Sequence, residues 1–312
     1  MNRFIRYWNQ NRKKIIITIA IIAFIIILIR VLNYFAKNNK GQDGNGIVID
    51  PTKPTQSIIT GTVVTEEITD NNTETIEKFV KECNEKKYEN AFALLSDDCK
   101  DVVFNNNINL FIDNYYNNIF SSKKTYNIEL YMNTNNVYMY KVTFYEDNLL
   151  ATGGGNLNKN VEDYITVISQ NGENKISING FVEKKEINKS AKEKDIEIII
   201  NSKKIYKNYE TYDITIKNYS QRTILLADGQ DNKDICLVDT RKIEYEAYIH
   251  EIPKDNLTLR NGYKKNINIR FNKLYSVYRD IDKIEFKNII RDYDAYTTDM
   301  NNAEKMAIRV GI

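Results

Sequence analysis

Residues 79–100 read FVKECNEKKYENAFALLSDDCK, and this stretch decides the fold of the first half of the chain. Its apolar side chains recur every three or four residues, the spacing that brings them onto one face of an α-helix. The same spacing continues before and after the stretch. The positions are Ile76, Phe79, Val80 and Cys83, then Tyr88, Ala91, Phe92 and Leu95, then Ile108, Phe111, Ile112, Tyr115 and Ile119. This pattern predicts three amphipathic helices, the first of them capped by Asn72 or Thr73.

Beyond residue 125 the pattern changes from the helical period to strict alternation. Two alternating apolar series predict neighbouring strands that each turn one face inward. The series are Tyr126, Ile128, Leu130 and Met132, followed by Tyr138, Tyr140, Val142 and Phe144. Two further strands are predicted over 163–169 and 175–182, joined by a turn at 170–173. The sequence therefore predicts three helices followed by a four-stranded antiparallel sheet.

This order of elements, with the phrase KKYENAFALLS at 86–96, resembles the nuclear transport factor 2-like superfamily over about residues 73–186. The resemblance implies an α+β cone, in which a curved antiparallel sheet wraps three helices around a cavity. The side chains expected to line that cavity are aromatic, with no inward carboxylate among them. They are Tyr126, Tyr138, Tyr140 and Phe144. The superfamily includes isomerases, dehydratases, polyketide cyclases and noncatalytic assembly modules, so the resemblance does not select one activity.

After a charged connector at 184–194, the chain is a series of short alternating segments separated by polar turns. The predicted strands are 196–200, 212–216, 223–226, 235–238, 243–249, 267–271 and 284–290. Strands of this number and spacing favour an antiparallel β-sandwich. The phrases YDITIKNYS, LTLRNGYKKNINIRF and IDKIEFKNI resemble immunoglobulin-like modules of bacterial surface proteins. The resemblance implies an all-β domain over 187–312.

The amino-terminal segment predicts a membrane anchor. Residues 15–29 read IIITIAIIAFIIILI, and the apolar stretch 15–36 is long enough to span a bilayer if Arg30 lies at the interface. Five basic and no acidic residues precede it, so residues 1–14 are expected in the cytoplasm and the bulk of the chain outside the cell. A cleaved signal peptide is the alternative, but the apolar run exceeds a typical signal core and no small-residue cleavage site follows it.

Residues 37–72 separate the predicted anchor from the predicted helices. They contain four of the 12 glycines and two of the three prolines, with little helical periodicity. This composition predicts a flexible linker that holds the outer domains away from the membrane.

Composition and residue counts exclude several classes of function. With 44 Lys and Arg against 42 Asp and Glu, the net charge of +2 indicates no basic surface for nucleic acid. His250 is the only histidine, which excludes multi-histidine metal sites, and alternation places it on the outer face of its strand. The three cysteines, Cys83, Cys99 and Cys236, lack the spacing of a zinc site. We expect no metal, no cofactor and no nucleic-acid partner.

The glycine run, the first two cysteines and two acidic pairs have structural explanations. The run TGGG at 152–155 is expected in a connection between antiparallel strands, because no helix follows it as a phosphate loop requires. Cys83 and Cys99 either form a disulfide outside the cell or remain buried thiols. The acidic pair Glu66 and Glu67 falls in the linker and the pair Asp97 and Asp98 at a helix end, where solvated or capping roles are expected.

Together these features predict a single-pass membrane protein whose outer domains form a noncatalytic interaction or assembly module of the bacterial cell envelope, with protein partners there. The alternative is a small-molecule binder or enzyme that uses the cone cavity. A sensor that signals through the helix is a third hypothesis, although a cytoplasmic tail of residues 1–14 is too short to form a signalling domain.

Overall fold

A computed structural model describes residues 54–134, 137–146, 160–229 and 231–312. The predicted tail 1–14, the predicted span 15–36, linker residues 37–53 and the glycine run 152–155 lie outside the described residues. No helix in the described ranges has the length and apolar character needed to cross a membrane. The described chain is rich in β-structure, which forms three sheets, and it has a few helices.

Most of the helical structure precedes the first strand. The helices are α1 (Glu66–Asn84), α2 (Tyr88–Ala93), α3 (Asp97–Phe104), α4 (Ile108–Phe111), α5 (Asn117–Ile119), α6 (Lys254–Leu257) and α7 (Tyr293–Thr298). A π-helical turn, Ile112–Tyr116, joins α4 to α5. The strands are β1 (Lys124–Thr134), β2 (Val137–Glu146), β3 (Val161–Gln170), β4 (Glu173–Ser177), β5 (Phe181–Glu193), β6 (Ile196–Tyr206), β7 (Tyr209–Asn218), β8 (Ile224–Leu225), β9 (Ile235–Asp239), β10 (Glu244–Glu246), β11 (Thr258–Leu259), β12 (Lys264–Asn272), β13 (Ile281–Ile290) and β14 (Lys305–Gly311).

The first sheet is an antiparallel meander in the order β1-β2-β3-β4. The fourth strand ends at Ser177, and residues 181–182 of the strand predicted over 175–182 belong instead to β5 of the second sheet. Helices α1 to α5 cover one face of this sheet and share a core with it. Aromatic rings dominate that core. Phe111 lies in contact with Phe79, Phe104 and Tyr115, with ring centroids 5.5 to 6.3 Å apart. Such tilted, edge-to-face and stacked pairs add to the free energy gained by burying the rings.

The second and third sheets share the largest core of the protein. The second sheet has the order β12-β7-β6-β5, and the third has the order β10-β9-β13-β8-β11 with β14 paired to β13. Alternate residues of β6 and β7, such as Ile198 and Ile214, face Leu237 and Phe286 of the third sheet in one buried cluster. This burial is typical of the short alternating segments predicted here. Of the predicted strand 243–249, only Glu244–Glu246 is a strand, and Ile243 is exposed.

The charged connector predicted at 184–194 is wrong, because residues 184–193 belong to β5. This strand pairs with β6 along its length and forms the edge of the second sheet. One side of an edge strand is unpaired, and charged side chains there oppose pairing with other chains, which is why its sequence looks like a connector. Ile187 and Ala191 still pack against the sandwich core. The boundary expected between 186 and 187 therefore falls inside one strand.

The linker predicted over 37–72 is wrong for residues 54–72. The Ile58 and Ile59 amides donate to the Leu130 and Tyr131 carbonyls at 2.9 and 3.1 Å, so this segment lies along β1. Helix α1 then begins at Glu66 rather than after Asn72, and its cap is Thr65, whose side chain accepts from the Ile68 amide. Carboxylates in the first turn favour this start electrostatically.

A small third cluster joins the two halves of the described chain. It consists of Met132, Met139, Val182 and Ile205, which lie in β1, β2, β5 and β6. We call it the junction cluster. A bulge in β1 between Leu130 and Met132 turns Met132 to this side of the sheet, away from the helices. The first and second sheets are therefore held together by apolar packing as well as by continuous chain.

Candidate interaction surface

The four aromatic residues expected to line a cavity do not share one environment. Tyr140 and Phe144 are fully buried in the helix-covered core. The Phe144 ring lies 5.2 Å from that of Phe120, and the Tyr140 hydroxyl accepts a hydrogen bond from the amide of Asn72 at 3.1 Å. Both side chains are core components with no access to solvent.

Tyr126 and Tyr138 lie closer to the surface. Tyr138 is partly buried against the same core, whereas Tyr126 is 37% exposed and lies at the surface. Tyr126 pairs with Phe144 across the sheet, but it lies on the edge strand β1, one strand farther from the centre. The alternating pattern gave the face of the strand correctly and could not give its distance from the sheet edge.

Asp163 is a buried carboxylate that the sequence analysis missed, because no inward carboxylate was expected. It lies in β3 and is 5% exposed. The Tyr115 hydroxyl and the Asn179 amide donate to its Oδ2 at 2.8 and 3.2 Å, and the Tyr164 amide donates to Oδ1 at 2.7 Å. The π-helical turn contributes to this arrangement by placing Tyr115 and Tyr116 in the core together.

The environment of Asp163 is that of a structural group. Burial raises the pKa of its carboxyl group, and the three donors oppose that rise. Both oxygens are engaged by donors that also fix the turn between β4 and β5, where Asn179 and Gly180 have positive φ values of 58° and 66°. A general acid or base needs an oxygen free to meet a substrate, and here each oxygen already serves the fold.

The cysteines are free, buried thiols in the structure. Cys83 and Cys99 lie in the helix-covered core, and Cys236 lies in β9. Of the two alternatives for Cys83 and Cys99, the structure therefore has the unbonded one. We expect the intact mass to be the same with and without reductant, and alkylation of all three thiols to require denaturant. A mass lower by one pair of hydrogens before reduction would mean that the bridge forms.

His250 is exposed in a 3₁₀ turn, Ile249–Glu251, and its ring lies 5.9 Å from that of Tyr248. The exposure predicted for it is confirmed, but His250 lies in this turn and not on the outer face of a strand. Over the described ranges, no cluster of three His, Cys, Asp or Glu side chains could hold a metal ion.

The surface best suited to a partner lies at one end of the sandwich, where Tyr219 and Tyr263 are 51% and 61% exposed. We call it the tyrosine end. Tyr219 follows β7, and Tyr263 precedes β12, the strand that pairs with β7. The Asn218 amide donates to the Tyr263 carbonyl at 3.0 Å, so the two tyrosines belong to adjoining loops.

Asn218 fixes both loops of the tyrosine end. Its buried side-chain amide donates to the carbonyls of Arg222, Leu259 and Arg260 at 2.7 to 3.1 Å, and its Oδ1 accepts from the amide and hydroxyl of Ser220. One buried amide thus satisfies carbonyls of both loops. Loops held in this way present their side chains with little conformational entropy left to lose on binding.

The Tyr219 side chain is itself held in place. Its hydroxyl donates to Glu197 Oε2 at 2.9 Å, and Lys217 Nζ lies 3.1 Å from the same oxygen. The ammonium group of Lys192 lies 4.8 Å from the centre of the ring. These donors lower the pKa of Glu197. Sequence offered one clue to this surface, namely a tyrosine within four residues of a predicted strand in both NYS and NGY.

Comparison with known proteins adds no functional assignment. No family model and no curated protein matches the chain. A conserved hypothetical protein from Bacillus anthracis aligns at 12% identity over 32% of this chain and 95% of its own, with a TM-score of 0.23. A functionally unknown protein from Listeria monocytogenes EGD-e aligns at 13% identity over 42% of this chain and 85% of its own, with a TM-score of 0.29. At these TM-scores neither likeness bears on the fold or function of this chain.

Proposed function

We propose that the protein is a noncatalytic interaction or assembly module of the bacterial cell envelope. In this proposal residues 15–36 anchor it in the cell membrane, the amino terminus is cytoplasmic, and the described residues lie outside the cell. The helices with the first sheet correspond to a nuclear transport factor 2-like domain, and the other two sheets to an immunoglobulin-like domain. The tyrosine end binds a protein partner in the envelope.

The exposure of two ordered tyrosines at one end of the sandwich is the observation that carries this proposal. Tyrosine is enriched at protein interfaces because it offers a large rigid contact area with a hydrogen-bonding tip. Tyr219 and Tyr263 combine exposure with fixed loops, as central interface residues do. The full burial of Tyr140 and Phe144 and the engaged oxygens of Asp163 count against an enzyme that uses the cone interior.

Site-specific crosslinking in cells tests this function. The photoreactive residue p-benzoylphenylalanine replaces Tyr219 or Tyr263 in the full-length chain, with Tyr126, an exposed tyrosine of the other half, as the matched control position. We expect adducts with the same envelope protein from both sandwich positions and none from Tyr126. Equal background at all three positions would refute a partner at the tyrosine end.

The anchoring part of the proposal has its own measurement in the same cells. The full chain should stay with the membrane after alkaline carbonate extraction, and deletion of residues 15–29 should release it. Recovery of a processed, secreted chain would refute the anchor without affecting the crosslinking result.

A further inference from the structure

A second exposed apolar surface lies at the opposite end of the sandwich. The loop between β12 and β13 reads KLYSVYRD over residues 273–280. At its tip Tyr278 is 81% exposed, and Leu274 and Val277 are also exposed. Because the nine residues of β12 separate this loop from Tyr263, the two surfaces lie about 30 Å apart along the strand.

Hydrogen bonds hold the base of the loop, so its apolar tip is exposed in a defined position. The Lys273 and Tyr275 amides donate to the Asn208 and Lys207 carbonyls at 3.0 and 2.8 Å. The Tyr275 side chain packs against the junction cluster, where burial raises its pKa to about 12. At the other end of the loop, the Arg279 guanidinium lies 4.0 Å from the Tyr245 ring.

Basic groups surround the base of this apolar tip. Lys273 and Arg279 flank it directly, and burial together with the neighbouring cations lowers the pKa of Lys273. Lys203 Nζ lies 3.1 Å from Oε2 of Glu210, which is fully buried. Lys273 Nζ lies 3.8 Å from the same Glu210 oxygen, and Arg279 lines a surface depression together with Glu244 and Glu246. The cations at this end are Lys185, Lys203, Lys207, Lys273 and Arg279, and the carboxylates beside them include Glu183, Glu210, Glu244, Glu246 and Asp280.

The chain approaches this same region from its amino-terminal side. Ile58 and Ile59 are exposed, and their amides bond to β1 at Leu130 and Tyr131. Tyr131 and Tyr275 both pack against the junction cluster. Two exposed apolar segments, the turn at 58–59 and the loop at 274–278, therefore border one cluster. We call these two segments the docking surface.

We propose that the docking surface binds an anionic lipid bilayer, namely the membrane that carries the anchor. This inference rests on the anchoring in the proposed function. Leu274, Val277 and Tyr278 enter the interfacial layer, while Arg279 and the exposed Lys185 near the base of the loop meet the phosphate groups of the lipids. The ammonium group of Lys273 stays with the buried Glu210. The domain is thereby oriented with its tyrosine end directed away from the membrane.

Two arguments favour a lipid surface over a protein at this position. Aliphatic and aromatic side chains with basic residues directly beside them are typical of segments that lie in the membrane interface. In addition, residues 37–53 are short enough to keep the domain within about 60 Å of the predicted span even when fully extended. A tethered domain has a high effective concentration at the membrane, so a few inserted side chains suffice for docking.

Tryptophan quenching in reconstituted vesicles tests the proposal on the full-length chain. Trp8, the only tryptophan, is first replaced by phenylalanine. Tyr278→Trp then reports on the docking surface, and Tyr263→Trp, also exposed but at the tyrosine end, is the matched control. The vesicles contain phosphatidylglycerol and phosphatidylcholine with bromine on the acyl chains. We expect several-fold stronger quenching at position 278 than at 263, and weaker quenching at 278 in phosphatidylcholine alone.

Equally weak quenching at both positions would overturn the proposal. Strong quenching at 278 that does not depend on phosphatidylglycerol would refute the preference for anionic lipid, while it would support insertion of the apolar tip into the bilayer. Flotation of the same vesicles after carbonate treatment reports anchoring separately. A chain that fails to float and shows no quenching at 278 refutes docking and anchoring together, whereas quenching with failed flotation refutes the anchor alone.

Discussion

Raising the pH above 9.0, the ordinary pKa of a cysteine thiol, is expected to destabilise the protein steeply. Burial raises the pKa of Cys99 to about 12 and raises that of Cys83 as well. Burial likewise raises the pKa of Tyr140 from 10.0 to about 12. In the unfolded chain these groups ionise at their ordinary values, while in the folded protein they stay neutral.

The sign of this effect follows from proton binding. A raised folded-state pKa contributes stability that is complete below the unfolded pKa and is lost as pH rises towards the folded value. Each such group costs about 1.4 kcal/mol per pH unit across that window. Lys273 has the opposite effect: because its pKa is lowered from 10.5, its contribution to the free energy of unfolding increases as the pH rises towards 10.5. The acidic groups outnumber it, so we expect the free energy of unfolding to fall by several kcal/mol between pH 9 and 11.

Denaturant unfolding of the full chain in detergent, repeated from pH 7 to pH 11, measures this loss. Replacing Cys83 and Cys99 by alanine should lower stability at neutral pH through lost packing, yet flatten the decline above pH 9.0. Comparison of the slopes therefore separates ionisation from packing. A free energy of unfolding that stays level up to pH 11 would show that these groups ionise freely in the folded state.

Much of the strand content was predictable because alternation in sequence reports directly on burial in a sheet. Strands such as β2, with Tyr140, Val142 and Phe144 inward, follow that rule. The rule fails at edges and bulges. Strand β5 is an edge strand with a charged outer side, so its sequence resembles a connector. In β1 the bulge after Leu130 moves Met132 to the opposite face, which no alternating pattern reveals.

The helix start and the buried carboxylate depended on contacts between distant parts of the chain. Thr69 and Asn72 are polar but buried in α1, and Asn72 is held by Tyr140, 68 positions away in sequence. Asp163 is held by Tyr115, which lies 48 positions away. A polar residue in the core has no periodic signature, because its partner can lie anywhere in the chain. The tyrosine end could not be predicted from the sequence for the same reason, because the two tyrosines come together only when β7 and β12 pair in the folded sheet.

Asp163→Ala is expected to destabilise the protein by about 3–5 kcal/mol, the upper range for single substitutions. The change leaves three buried donors without their acceptor, namely the Tyr115 hydroxyl and the Tyr164 and Asn179 amides. It also releases the turn that connects β4 to β5, so loss of hydrogen-exchange protection should begin at Asn179 and Gly180.

Tyr115→Phe is the matched control, because it removes one donor and leaves Asp163 with both backbone amides; its expected cost is about 1 kcal/mol. Urea unfolding of the two variants gives the comparison. Similar small losses for both would mean that water replaces the carboxylate and that Asp163 does not hold the turn between β4 and β5 in place.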